Sequence, residues 1–132
     1  MTDFALESNG GAVVMTTASD DYHPGENIVD GNDNTFWSTT GSYPHEFVIA
    51  LEGKSKITKV KIWCASVRKL TVEKCGSNSG ERYEKVYEME LQEKPNRMQT
   101  ESKSVEFEAK FIKFVIGSGW DDFCAIYKVS LT

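Results

Sequence analysis

Between Glu26 and Gly41 the chain reads ENIVDGNDNTFWSTTG. Asp30, Asn32, Asp33, Asn34 and Thr35 crowd oxygen-bearing side chains into one short segment. Such oxygens can accept backbone N–H bonds and close a turn. They can also surround a hard cation, because Ca²⁺ takes roughly six to eight oxygens in a flexible geometry. The EF-hand arrangement fails. With Asp30 as the first loop position, the sixth is Thr35 where Gly makes the sharp turn, and the twelfth is Gly41 where a bidentate Glu is needed. Another arrangement survives, in which the Asp30 carboxylate and the Thr35 hydroxyl face carbonyls of the DGND turn between them. On the residues alone two readings stay open: an Asx-type turn leading into a buried Trp, and a calcium cage. Phe36 and Trp37 follow directly and are expected to anchor the far end of the loop in the core.

Catalytic chemistry finds less support. The two histidines, His23 after Tyr22 and His45 after Pro44, read as exposed loop residues outside any triad motif. P-loop, H-E-x-x-H and G-x-S-x-G patterns do not occur. The glycines of GSNSG from Gly76 and GSGW from Gly117 lack a following helix that would cradle phosphate. Asp121 and Asp122 read as loop-capping or solvated acids. Cys64, Cys75 and Cys124 are odd in number, without C-x-x-C spacing, and read as reduced packing residues. The expectation is a protein that is not an enzyme.

The elements that must hold the loop are written in period-two alternation, the mark of half-buried strands. Phe47, Ile49 and Leu51 share one face, as do Val60, Ile62 and Cys64, and then Leu70 and Val72. Tyr83, Lys85, Tyr87, Met89 and Leu91 follow, then Val105, Phe107 and Ala109, then Ile112, Phe114 and Ile116, and last Tyr127, Val129 and Leu131. With AVVMTTA near the N-terminus this predicts about eight strands. GSNSGE from Gly76 reads as a hairpin-type loop, EKPNRMQTESK as a long polar crossing, and GSGWDDF as a Gly-rich loop. The predicted fold is all-β: one antiparallel β-sandwich with jelly-roll topology over residues 1–132, with residues 1–10 expected to fray.

Composition sets outer bounds. The chain has 132 residues, 39% hydrophobic and 27% charged, with net charge -5. A nucleic-acid partner is not expected, because a phosphate footprint needs clustered Lys and Arg. The basic residues at 54–61 and 68–74 are interleaved with apolar ones and read as solvated strand faces. No run approaches the roughly 20 apolar residues of a membrane-spanning helix, and MTDFALESNGG lacks the basic and apolar regions of a signal peptide. The expectation is a reducing compartment and no membrane insertion.

HPGENIVDGNDNTFWSTTG followed by PHEFVIALE resembles the N-terminal signature of the galactose-binding-like, or discoidin (F5/8 type C), family. KFIKFVIGSGW and CAIYKVSLT resemble that family's closing strands. More narrowly, SDDYHPGENIVDG, TFWSTTG and EFVI resemble a family of small subunits of the intraflagellar transport complex B. The resemblance implies a structural calcium ion in the jelly roll. Asp30 would give its carboxylate, Thr35 its hydroxyl and carbonyl, and Asn27 and Asn32 backbone carbonyls, with Asp33 as a second carboxylate. Lys128 stands where relatives carry a completing Glu, leaving only a carbonyl near Tyr127 or Lys128. The resemblance also implies a non-catalytic role in cilium or flagellum and cytoplasm, a heterodimer with a Rab-like small GTPase, and contacts with other complex B subunits. Candidates for an exposed partner patch are Trp63, Val67, Phe111 and Val115, with no surface singled out. The alternative is a carbohydrate-binding discoidin-like module using Tyr22, Tyr43 and Trp120. A membrane-surface role would rely on Trp120, whose acidic neighbours Asp121 and Asp122 anionic lipids would repel.

Overall fold

A computed structural model of the chain describes residues 2–17, 21–39, 42–77 and 82–132. The described residues form seven strands: β1 (Ala12–Thr16), β2 (Trp37–Ser38), β3 (His45–Ala65), β4 (Val67–Cys75), β5 (Glu84–Glu90), β6 (Gln99–Gly119) and β7 (Ala125–Leu131). All pairings are antiparallel. Two short 3₁₀ turns, Glu7–Asn9 and Gly25–Ile28, complete the elements.

Strands β3 and β6 are 21 residues each, and each carries two of the predicted runs. Their register slips between Ala50 and Ser55, where the two strands bend together, and again between Ile57 and Lys59. Before the bend, 45–50 of β3 pairs with β1 and with 111–116 of β6, which in turn pairs with β4 and through it β5. Beyond it, 55–64 of β3 pairs with 99–109 of β6 and with β7, which carries β2. One layer therefore runs β1-β3-β6-β4-β5 and the other β6-β3-β7-β2. The predicted sandwich is present. Its eight runs are six strands, because two pairs of runs join without a break, and the short β2 is added.

The alternating faces meet between the layers. Phe47, Ile49, Leu70, Val72, Ile112, Phe114 and Ile116 of the first layer pack against Trp37, Ile57, Val60, Ile62, Ile126, Val129 and Leu131 of the second. Phe47 stacks on Phe114 at 4.8 Å between ring centroids and takes the edge of Trp37 at 5.3 Å. Such aromatic pairs add about 0.5–1.5 kcal/mol beyond their burial. All three cysteines are buried reduced thiols, as expected.

Two bulges move residues off their predicted faces. In β7 the partner of Trp63 is Lys128 and that of Cys64 is Ile126, so Tyr127 is the extra residue. Ile126 then faces the core in place of Tyr127. In β5 Val72 pairs with Tyr87 and Glu73 with Lys85, leaving Val86 as the extra residue and Lys85 exposed. A single inserted residue flips every side chain beyond it to the other face.

Several loop boundaries differ from expectation. The polar crossing is shorter, since β6 begins at Gln99 and takes up the tail of EKPNRMQTESK. Gly117 to Gly119 also belong to β6, so the loop that follows starts at Trp120. Most of the GSNSGE hairpin lies outside the described residues. Within the N-terminal stretch expected to fray, residues 3–5 are tied to the last strand. Phe4 N–H donates to the Leu131 carbonyl at 2.8 Å, Asp3 Oδ1 accepts from Leu131 N–H at 3.0 Å, and Ala5 is fully buried. The basic residues at 54–61 and 68–74 do lie on strand faces turned to solvent. Lys56 meets Glu106 and Arg68 meets Glu90 there.

Candidate functional site

The oxygen-rich loop is strung between two buried anchors. Ile28 and Val29 close the Gly25–Ile28 turn in the core, and the Glu7 N–H donates to the Val29 carbonyl at 2.9 Å. At the other end Trp37 is fully buried. Phe36, expected in the core beside it, lies instead on the outer side. There it stacks on His23 at 4.1 Å and meets Tyr127 in a tilted contact at 5.0 Å. Consecutive strand residues point to opposite faces, so only one of the pair can enter the core.

Between the anchors the chain turns at Gly31, whose φ of +76° falls in the left-handed region that glycine adopts without cost. Asp30 Oδ1 accepts the Asn32 N–H at 2.9 Å, and Asp30 Oδ2 accepts the Thr35 hydroxyl at 2.6 Å. The same hydroxyl lies 3.2 Å from the Asn32 carbonyl oxygen, and Asn32 Oδ1 accepts the Asn34 N–H at 2.9 Å. These are two successive Asx turns. They bring a carboxylate, a hydroxyl and a carbonyl together.

The remaining predicted site residues stand differently. Asn27 closes the base of the loop, its amide donating to the Phe36 carbonyl at 3.0 Å. Asp33 does not join the Asp30 cluster through any of these bonds. Its Oδ1 lies 4.0 Å from the Lys128 ammonium. The donor set is all oxygen and carries carboxylate charge, which suits a hard cation. Among the described residues no group of three or more His, Cys, Asp and Glu side chains is placed to hold a metal, so the softer ligand set of a zinc site is not assembled there. Asp30, Asn32 and Thr35 would contribute only part of a calcium sphere, and carbonyls, Asp33 or water would have to supply the rest.

A second feature lies at the corner where β3 hands the chain to β4. Ser66 turns the backbone with φ of +63°. Its carbonyl accepts the Trp120 N–H at 2.9 Å, and the Trp120 indole N–H donates to the Leu91 carbonyl at 3.0 Å. The Arg68 guanidinium covers the ring at 4.8 Å. Trp120 is therefore a clamped plate, not a free spike. Tyr43 donates its hydroxyl to the Asp121 carbonyl at 3.0 Å, and with Trp120, Asp121, Asp122 and Phe123 it lines an open groove. Tyr22 does not line that groove. Phe123, 57% exposed, was not a candidate, because one aromatic among acids carries no signal that it faces water.

Beneath this corner sits Gln99, missed as a residue of a polar crossing. Its side chain is buried and bonds both the N–H and the carbonyl of Val67, at 2.9 and 2.8 Å, and the Gln92 carbonyl at 2.9 Å. Val67, a candidate for an exposed patch, is fully buried in the core. Trp63, Phe111 and Val115 are half-buried on outer faces.

The histidines depart from expectation too. His45 is buried at the start of β3, with Nδ1 3.4 Å from the Thr17 hydroxyl and its ring against Tyr43. His23 is half-buried on Phe36. Burial pushes the Cys64 and Cys124 thiols up, so neither is held as a ready thiolate nucleophile.

The F5/8 type C domain profile matches residues 13–129. Intraflagellar transport protein 25 of Chlamydomonas reinhardtii is 45% identical over 131 residues, covering 99% of this chain and 69% of the relative. The Homo sapiens homologue of that protein is 36% identical over 129 residues, covering 97% of this chain and 90% of the relative. Among solved structures, a Clostridium perfringens carbohydrate-binding module in complex with GalNAc-β-1,3-galactose superposes with a TM-score of 0.85 at 15% identity, over 98% of this chain and 99% of that one. A family 32 module from the same organism, in complex with galactose, superposes at 0.81 with 19% identity, over 98% and 97%. At such identities the two structures share the fold and nothing further.

Proposed function

This chain belongs to the F5/8 type C family and, within it, to the family of intraflagellar transport protein 25, and from that premise we propose a non-catalytic subunit of complex B. Its place is the cilium or flagellum, in intraflagellar transport. Its partner is a Rab-like small GTPase, intraflagellar transport protein 27, bound as a one-to-one heterodimer that then contacts other complex B subunits. The observation that carries this reading is the 45% identity sustained over 99% of the chain, which spans the oxygen-rich loop and both sheet layers. A domain that serves as a docking unit needs a rigid frame and exposed aromatic anchors. Trp120 and Phe123 provide such anchors on a frame of paired strands.

A calcium ion serves this subunit as a staple. Asp30 would hold it through its carboxylate, Thr35 through its hydroxyl and carbonyl, and Asn27 and Asn32 through carbonyls, with Asp33 as the second acid. What supports this is the convergence of the Asp30, Asn32 and Thr35 oxygens, already at 2.6 to 3.2 Å from one another. The ion would neutralise charge and fix the loop, with no substrate to act on. Binding to the folded state alone stabilises by about 2.7 kcal/mol at a hundred times Kd.

The alternative is a carbohydrate-binding module, favoured by the groove that Tyr43 and Trp120 share. Against it, Arg68 lies over the Trp120 ring, where a sugar would stack.

The test is to mix the purified chain with the GTPase and measure mass by size-exclusion chromatography with light scattering, with and without EGTA. A one-to-one complex in both conditions is expected. Loss of the complex in EGTA would give the metal loop a share in the interface. No complex in either condition would sink the heterodimer and turn attention to a glycan array.

A further inference from the structure

Lys128 sits on β7 directly opposite Trp63 of β3, and its ammonium lies 5.1 Å from the centroid of that ring. The same ammonium lies 4.0 Å from Asp33 Oδ1. Lys61 covers the Trp63 ring as well, at 4.8 Å. Asp33, Trp63, Met98, Tyr127 and Lys128 together line a cleft of about 350 Å³ beside the oxygen-rich loop. The two charged partners are not equally free. The Lys128 side chain is 27% exposed, its stem laid on the strand pair, while Asp33 is 87% exposed. The lysine is the held member of the pair, and the carboxylate is the exposed one.

We propose that Lys128 is a tethered competitor for the calcium ion of the loop. Its ammonium engages the carboxylate that would otherwise complete the Asp30, Asn32 and Thr35 set, and its charge stands beside the ion's seat. Calcium binding draws Asp33 into the loop and leaves Lys128 on Trp63 alone. Lys128 therefore sets a weakened calcium affinity, and occupancy of the loop changes the charge exposed in the Trp63–Tyr127 cleft. This rests on the calcium reading given above. The physical basis is the contest of two cations for one carboxylate, sharpened by repulsion between the ammonium and a divalent ion. An exposed ion pair of this length is weak, so the expected gain on removing the lysine is about two- to fivefold in calcium affinity.

Calcium titration calorimetry on the full chain tests this, with tryptophan emission followed in parallel. Lys128→Gln should bind calcium about two- to fivefold tighter, and Lys128→Arg should bind like the parent. Lys61→Gln removes the same charge from the same ring but not from Asp33, and its gain should be less than half as large. In an Asp33→Asn background the gain from Lys128→Gln should fall to less than half, because only the direct repulsion between ammonium and ion is left to relieve. Unchanged or weaker binding by Lys128→Gln overturns the proposal and leaves the calcium staple intact. So does an equal gain from Lys61→Gln, or a gain that persists undiminished without the Asp33 carboxylate. Absence of calcium binding by the parent and by Lys128→Gln alike overturns both. Thermal melts of each variant in EGTA confirm that all are folded.

Discussion

Replacing Gln99 by Leu should unfold this protein far more readily than its position at a strand terminus suggests. The side chain is 1% exposed, and it serves Val67 as a neighbouring strand would. Its Oε1 accepts the Val67 N–H at 2.9 Å, and its Nε2 donates to the Val67 carbonyl at 2.8 Å and the Gln92 carbonyl at 2.9 Å. Leucine fills similar space and makes none of these bonds. The Gln92 carbonyl can turn to water, since Gln92 is exposed, but both Val67 groups are left in the core. Each buried polar group stripped of its partner costs about 1–3 kcal/mol, so the loss for the two Val67 groups is about 2–6 kcal/mol. For a domain of this size that lowers Tm by roughly 6 °C or more. Calorimetry and urea unfolding should agree on the loss. Glu in place of Gln keeps an acceptor for Val67 N–H but turns a carboxylate toward two carbonyls, so Gln99→Glu should be no more stable than Gln99→Leu near neutral pH. Because the Ser66 corner also carries Trp120, tryptophan emission should shift in the folded state of both variants. A fall in Tm of less than about 2 °C for Gln99→Leu would refute the reasoning, since the Val67 groups would then have found other partners at little cost.

Asp30→Ala removes both acceptors that organise the loop, so it should cost about 1–2 kcal/mol in EGTA. It should cost about 2.7 kcal/mol more at a hundred times Kd of calcium, and equal losses with and without calcium would mean that the loop gains nothing from the metal. Gly119→Ala drives a Cβ into the Tyr43 hydroxyl and to 2.7 Å from the Ser66 carbonyl, which should cost about 1–3 kcal/mol and is read by urea unfolding. Alkaline pH should weaken the fold. Burial raises the Cys64 and Cys124 thiols and the Tyr87 phenol above their ordinary values of 9.0 and 10.0, so the unfolded chain releases these protons first. Their contribution is therefore complete below pH 9.0 and is lost as pH climbs, with a slope of up to about 1.4 kcal/mol per pH unit for each group. Urea midpoints measured from pH 8 to pH 11 should fall, and a flat profile would show that the thiols and the phenol ionise as freely in the fold as outside it.

The strands were legible because a two-residue period is a local property, and a sheet with one face in the core must repeat it. Phe47 to Leu51 and Ile112 to Ile116 face inward as their spacing requires. The turn at Asp30 was legible for the same reason, since its Asx bonds reach only two residues along the chain. The bulge at Tyr127 was not, because the extra residue is defined against the partner strand and leaves no mark in IYKVSLT itself. Nor was the burial of His45, which needs Tyr43 and the distant Thr17 to come together.

By itself, then, the order of residues determined a β-sandwich, most of its inward faces and an oxygen-rich turn with an apolar anchor at its far end. Each of these follows from neighbours a few positions apart. Tertiary structure decided what stands against what: Gln99 under Val67, Arg68 over Trp120, and Lys128 between Trp63 and Asp33. Those contacts join residues that are far apart in the chain. They depend on the register of β3 against β6 and β7, which forms only when both layers close on the same core.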